Sequence, residues 1–354
     1  MKKPRLLAVE MHHLGDAVLA LPFLRAAAGP FDVQVVCRPD VARFLQAAAP
    51  AAQALSCDGW RDVFRQVPDL GRDDAAAGVW PDPRAHLAMR RSNAGTRIGF
   101  QIAAGNMYGI AHAWRRRRLA AGIFCSRILS LAGPLLTHPL ERASERQPHL
   151  ESWLQIARSL GLAADLSTPW LPVPSAPEEF LEFVRTARAD GMRVAIVHAG
   201  GRLPGKRWPV AKFEALLRGW FPEHGIAAAI IRVPGEESPS PQGARQQTFE
   251  SAFPADLAGM VARADGAVGN DSFAAHLAAA VGTPVVAIFG SGDPAWFAPF
   301  GNAALAVAAN TCPFRPCVDR CTQPSYVCLE GVSIHLVEEK LSAMFPDFPK
   351  PSIL

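Results

Sequence analysis

An α/β protein with two parallel-sheet domains is what this sequence predicts, and three observations lead there. The chain has 354 residues, too long for one typical domain and suited to two. Apolar runs of strand length alternate with segments of helical spacing in both halves. The alternation breaks at a proline-rich stretch, LSTPWLPVPSAPEEF, and then restarts, so that stretch reads as an inter-domain linker. Strands separated by helices of about ten residues need crossover connections, and such sheets are parallel. The result is two Rossmann-like domains whose sheets face a central cleft, with ligands at the carboxyl ends of the strands.

The elements follow in order. RLLAVEM has strand length, and Gly15 lets the chain turn sharply after it. A helix runs from Asp16 to Ala28, with Val18, Leu21, Leu24 and Arg25 on neighbouring turns. Pro22 predicts a kink or a late helix start. FDVQVVCRP is the next strand and DVARFLQAAA the next helix. A poorly patterned region follows, and THPLERASERQPHLESWLQIARSLGL closes the half as polar loop and helix. After the linker come a buried strand, RVAIVHAG, and a helix, PVAKFEALLRGWFPEHG, with a glycine stop. Strand IAAAIIRVPG, helix FPADLAGMVARA, the short strand and loop DGAVGND, helix SFAAHLAAAVG and strand TPVVAIFGS complete the pattern. Both HHLGD and GNDS fall at strand ends, so both are placed at the cleft.

Composition narrows the function classes. Apolar residues make up 49% and charged residues 19%, which excludes a disordered chain. Without an apolar run of 18 residues or more, no membrane span is expected. MKKPR before LLAV has the look of a secretory signal, but Glu10, His12, His13 and Asp16 interrupt the apolar run, which points to a cytoplasmic protein. A net charge of +4 gives no reason to expect nucleic acid. Arginines cluster at Arg90, Arg91 and Arg97 and again at Arg115 to Arg118, where AWRRRRLAAGIFCSRILSLAG is basic first and apolar after. That pattern suits anionic lipid or phosphorylated sugar, and equally a solvated turn before a core helix. The seven cysteines do not suggest a disulfide framework in such a chain. Four of them, Cys312, Cys317, Cys321 and Cys328, sit close together and are a candidate structural zinc or iron site; reduced, unliganded thiols are the alternative.

Several segments occur together and in order: LGDAVLALPFLRA, AGTRIGF, VHAGGRLPGKRWPVAKFEALL, GNDSFAAHLAAAVGTPVVAIFG and the late cysteines. As a set they resemble the heptosyltransferases of glycosyltransferase family 9, which add heptose from ADP-heptose to lipopolysaccharide core. The resemblance spans roughly Arg5 to Val337. It implies a GT-B fold, with residues 1–172 as an acceptor-binding domain and 173–335 as a nucleotide-sugar domain. Residues 336–354 would form a C-terminal helix and tail packing back on the first domain. It also implies inverting transfer that needs no metal or other cofactor. One motif departs from the family's Gly-Asn-Asp-Thr-Gly: here it is Gly269, Asn270, Asp271, Ser272, Phe273.

The chemistry is then assigned residue by residue. Inverting transfer needs a base for the acceptor hydroxyl and stabilisation of the departing diphosphate. Asp16 reads as a helix N-cap or as that base, and the resemblance puts the catalytic aspartate at this position. Lys206, in a glycine-rich loop, is the implied phosphate-binding lysine, with Arg207 beside it. Ser272, Asp271 and Phe273 open a helix whose exposed amides suit a diphosphate, and His276 shares a face with Ser272. Glu236 or Glu237 would accept hydrogen bonds from the ribose. Trp208 reads as packing rather than as an adenine platform. On the acceptor side the candidates are His13, Arg90, Arg91 and Arg97. The partners implied are an ADP-heptose donor, a glycolipid or other glycan acceptor and a peripheral contact with the inner face of the cytoplasmic membrane. Transfer to a protein or a small metabolite, and a non-catalytic binding protein that keeps this fold, are the competing readings.

Overall fold

The computed structural model describes residues 2–101, 135–142, 147–251, 254–302, 305–315, 317 and 321–346. The arginine run at 115–118, Cys125 and the tail at 347–354 lie outside the described residues. The chain divides into two compact units, Met1–Leu166 and Ser167–Leu354.

The first unit holds six strands: β1 (Arg5–Glu10), β2 (Asp32–Cys37), β3 (Ala52–Ser56), β4 (Ala75–Gly78), β5 (Thr96–Phe100) and β6 (His138–Leu140). All pair in parallel, in the order β3-β2-β1-β4-β5-β6. Its described helices are α1 (Leu14–Ala28), α2 (Pro39–Ala48), α3 (Trp60–Gln66), α4 (Pro83–Arg91) and α5 (His149–Ser159). Leu6, Leu7 and Ala8 of β1 are fully buried, as a central parallel strand covered on both faces requires. The first helix begins earlier than its pattern suggests and runs on through Pro22. Asp82 caps α4 by accepting from the Arg84 amide at 2.8 Å, with Pro83 at the first helical position. Helix α5 packs on α1, with the Phe23 and Trp153 rings stacked at 4.8 Å.

The second unit repeats the plan. Its strands are β7 (Arg193–His198), β8 (Ile226–Arg232), β9 (Gln246–Glu250), β10 (Gly266–Asn270), β11 (Val285–Phe289) and β12 (Ala306–Ala308). They are again parallel, in the order β12-β11-β10-β7-β8-β9. Around them lie α6 (Glu178–Ala189), α7 (Val210–Arg218), α8 (Pro254–Val261), α9 (Phe273–Val281) and α10 (Ile334–Met344). Helix α9 ends at Gly282, whose φ of +90° is a left-handed stop that favours glycine. The final helix does not leave this unit for the first: Val337 and Leu341 are fully buried in the second unit's core, beside Trp208 and Phe213. The proline-rich stretch is only in part a connector. Trp170 is 1% exposed, its amide donates to the Ala280 carbonyl at 2.7 Å, and its ring lies 5.2 Å from Phe300.

Both sheets reverse their winding at one place, between β1 and β4 in the first unit and between β7 and β10 in the second. Loops leaving two adjacent strands diverge there and leave a crevice at the carboxyl edge, the usual ligand position in open parallel sheets.

Candidate active-site residues in the two units

In the first unit the reversal point is furnished by the loop after β1, the residues just after β4 and the start of α5. Asp16 is not the N-cap of α1; His13 is, and Asp16 is the third helical residue. From there its Oδ2 accepts from the His13 amide at 3.2 Å. Its Oδ1 lies 3.8 Å from His149 Nε2. The carboxylate is thus gripped from its own turn and faced by an imidazole that the α1–α5 packing brings in. Its side chain is 12% exposed and that of His149 is 4% exposed.

Glu10 ends β1 with 1% exposure. Its Oε1 accepts from the His12 amide at 3.1 Å, while buried Oε2 has no hydrogen-bond partner among the described residues. Burial, then the neighbouring Asp16 charge, raise its pKa well above the ordinary value. Trp80 follows β4, with its ring 4.3 Å from His12 and 5.0 Å from His149. Among the described residues its buried Nε1 has no acceptor. Burial holds His12 neutral, with its pKa lowered to about 4, and the adjacent His13 adds to the effect. Glu10, Trp80 and His149 were not among the sequence candidates. They meet only through strand order and helix packing, and no local motif marks them.

The predicted acceptor-side residues divide. His13 is exposed beside Asp16. The arginines are a correction, because they lie at the opposite, amino edge of the sheet. Arg90 and Arg91 end α4, and the chain then enters the amino end of β5. There the Ser92 carbonyl accepts from the Leu70 amide, on the approach to β4. Arg97 braces its own neighbourhood, donating to the Leu135 carbonyl at 2.8 Å and the Ala94 carbonyl at 2.6 Å. None of the three is placed to meet a sugar held near Asp16.

In the second unit the loop after β7, a single 3₁₀ turn at Pro204–Lys206 and the start of α9 converge. Asn270 ties them together. Its Oδ1 accepts from the Trp208 amide at 3.0 Å, and its Nδ2 donates to the Ala199 carbonyl at 2.6 Å. Lys206 Nζ lies 2.7 Å from Asp271 Oδ2, with side chains 18% and 2% exposed, and 5.3 Å from the Phe297 ring. A cation is therefore already mounted beside the start of α9. Ser272 occupies the N-cap position of that helix, and its buried Oγ has no hydrogen-bond partner among the described residues. His276 is buried one turn further on. Burial lowers its pKa to about 4, Lys206 adds to the lowering and Asp271 opposes it. Phe273 is half-buried as the first residue of α9.

The structure separates Glu236 from Glu237. A turn in which the Glu236 amide donates to the Val233 carbonyl points Glu236 inward, 3.5 Å from His198 Nε2, whereas Glu237 is exposed. The His198 hydrogen bond, His198 and Arg207 charges and the Gly201 amide hold Glu236 below the usual carboxylate range, against the cost of burial. Arg207 serves the loop itself, its guanidinium donating to the Gly201 and Arg202 carbonyls. Trp208 is 1% exposed, with Nε1 donating to the Val332 carbonyl, so it packs as its sequence context suggested.

The four late cysteines do not form a metal cage. Cys321 Sγ points at the Gln323 and Ser325 carbonyls. Burial, then Cys321, Cys328 and Cys312, push the Cys317 thiol up to about 11. The thiols are thus neighbours, but among the described residues no group of three or more His, Cys, Asp or Glu is arranged to hold an ion. Among the same residues no helix is long and apolar enough to cross a membrane.

Residues 126–326, more than half of the chain, match the family model for glycosyltransferase family 9 (heptosyltransferase). The chain belongs to glycosyltransferase family 9. It is a glycosyltransferase, and its two-sheet α/β architecture is of the GT-B class. Solved structures of the same fold include a family 9 glycosyl transferase from Veillonella parvula (TM-score 0.64, 15% identity, 98% of each chain covered). Escherichia coli heptosyltransferase WaaC with ADP aligns at TM-score 0.61 and 16% identity, over 96% of this chain and 99% of that one. The iron-containing dodecameric glycosyltransferase TibC from enterotoxigenic E. coli aligns at 0.53 and 14%, over 98% of this chain and 77% of that one. No curated protein matches the chain.

Proposed function

We propose that this family 9 enzyme moves heptose from ADP-heptose to a hydroxyl of lipopolysaccharide core or a related surface glycoconjugate, with inversion and without a metal. Asp16 takes the proton of the acceptor hydroxyl as the new bond to the anomeric carbon forms. The bond from that carbon to the diphosphate breaks on the opposite side, and ADP departs with the electron pair. A transition state of oxocarbenium character gains from a nearby carboxylate. Lys206, the Ser272 hydroxyl and the amides that open α9 receive the charge growing on the diphosphate. Glu236 takes the ribose hydroxyls, Asp271 holds Lys206 in place, and His13 contacts the acceptor sugar. The first unit is the acceptor half and the second the nucleotide-sugar half.

One observation carries this reading: a nearly buried carboxylate, Asp16, stands at the reversal point of a parallel sheet, fixed by its own turn and faced by His149. WaaC, solved with ADP, and its form with ADP-2-deoxy-2-fluoro heptose suggest the donor for this chain. The test is a mass-resolved screen of nucleotide sugars and acceptors, with and without chelator. Asn at position 16 can still accept from the His13 amide, so Asp16→Asn should fold and lose roughly 10²–10⁴-fold in turnover. A product with retained anomeric configuration, loss of activity on chelation, or full activity in Asp16→Asn would each sink it.

A further inference from the structure

His198 ends β7, where the second sheet reverses its winding, and the transfer described above gives it no task. It pairs with Gly269 of β10. A Cβ on Gly269 would stand 2.6 Å from the His198 carbonyl and 3.6 Å from its Cβ, so the two strands close up here and exclude a side chain at 269. The His198 side chain is 9% exposed, and its Nε2 lies 3.5 Å from Oε2 of Glu236, whose side chain is 25% exposed. Among the described residues the buried Nδ1 has no hydrogen-bond partner.

An imidazole kept only to fill space would be a poor choice here. A buried ring nitrogen without a partner costs free energy that an apolar side chain of the same volume avoids. A neutral imidazole has one N–H and one lone pair. No neighbour competes for the proton at Nδ1, and the Glu236 carboxylate favours it on Nε2. Glu236 itself stands on the turn after β8, beside Gly235 with its φ of +82°. Its carboxylate is reached from the β7 side by the imidazole and by the Gly201 amide. Arg207 adds charge, but its guanidinium donates to the Gly201 and Arg202 carbonyls. The imidazole contact is long for a hydrogen bond, and contacts of this kind commonly shorten once substrate binds. A glutamate fixed in advance spares the entropy of ordering it at binding. We infer that His198 is the positioning residue for Glu236, aiming its carboxylate at the ribose hydroxyls so that the enzyme selects a ribonucleotide donor. This rests on the ribose role given to Glu236 above.

The test uses the full chain and needs no acceptor. Calorimetry measures binding of ADP and of its dideoxy analogue, which lacks both ribose hydroxyls, and thermal melts check that each variant folds. Wild type should prefer ADP by roughly 10- to 150-fold, the worth of a hydrogen bond to a charged group. Glu236→Ala should abolish that preference. His198→Leu should lose most of it while binding the dideoxy analogue as wild type does, and should change nothing further in a Glu236→Ala background. His198→Asn, polar and smaller, repeats the test, because its amide reaches the place of Nδ1 and stops short of Nε2. His198→Gln can set an N–H where Nε2 stood and should keep the preference. Equal weakening of both ligands in His198→Leu and His198→Asn, or a preference intact in both beside its loss in Glu236→Ala, overturns the inference and leaves Glu236 its role. A preference intact in Glu236→Ala removes the ribose role itself, and the inference with it.

Discussion

Replacing Gly200 with alanine should weaken donor binding while the protein stays folded. A Cβ at this position would stand 1.7 Å from Glu236 Oε2 and 2.8 Å from His198 Nε2, inside the 3.4 Å at which ordinary contact begins. The backbone here is not in the left-handed region, so alanine carries no torsional penalty and the effect is steric. The half-buried carboxylate is the movable partner, and it must retreat by at least about 1.7 Å. That movement breaks its contact with His198 and its bond from the Gly201 amide. A hydrogen bond to a charged group contributes about 1.5–3 kcal/mol. If Glu236 grips the ribose, the donor KM should rise about 10- to 150-fold with kcat nearly unchanged. The assay is steady-state transfer at saturating acceptor for Gly200→Ala, Glu236→Ala and the double variant. Because both changes remove one interaction, the double variant should match Glu236→Ala alone. Additive losses, or an unchanged KM in Gly200→Ala, would refute the steric argument.

Other perturbations have equally definite outcomes. Lys206→Met strands the Asp271 carboxylate, 2% exposed, without its cation, so unfolding free energy should fall by about 3–5 kcal/mol in urea titration and kcat should collapse with it. Glu10→Gln tests the buried acid through pH. A carboxyl whose folded pKa is raised contributes most below its unfolded value, near 4.5, and that contribution is lost as pH rises toward the folded value. Wild type and Glu10→Gln should therefore be closest in stability below about pH 4.5, with Glu10→Gln the more stable by a gap that widens as pH rises; a pH-independent gap in thermal melts would show that Glu10 is not held protonated. Gly290→Ala drives a Cβ to 2.3 Å from the Gly205 carbonyl and 2.6 Å from Leu329, so melting should drop by an overpacking cost of about 1–3 kcal/mol or more, and a change well under that range would mean the loop simply shifts.

The strands legible in the sequence were those with long apolar, branched runs. RLLAVE, RVAIVH and VVAIF announce buried parallel strands. Strand β4 escaped notice because AAAG has neither branched nor aromatic side chains, and β9 because QQTFE is a polar edge strand. Helix α4 did carry a signal, the Asp82–Pro83 start, in a region that otherwise reads as patternless. At the candidate site, Asp16, Lys206 and Ser272 could be found because each stands in a local strand–loop–helix motif. His149 lies more than a hundred residues from Asp16 in sequence and is brought to it by the Phe23–Trp153 stack. The arginines misled because a run of charge specifies composition but not which end of a helix it occupies. Only the direction of α4 shows that they belong to the amino edge.

Trp170 changes where the molecule can be cut. With its indole sunk among second-unit side chains and its amide bonded to Ala280, the stretch from Ser167 onward is a flap sewn to the lobe it precedes rather than a tether between lobes. A separately produced second half trimmed after this tryptophan would expose an apolar socket beside Phe300 and precipitate. Grafting a first half from a relative should accordingly be attempted with the seam ahead of Ser167, so that this anchor travels with the lobe it completes.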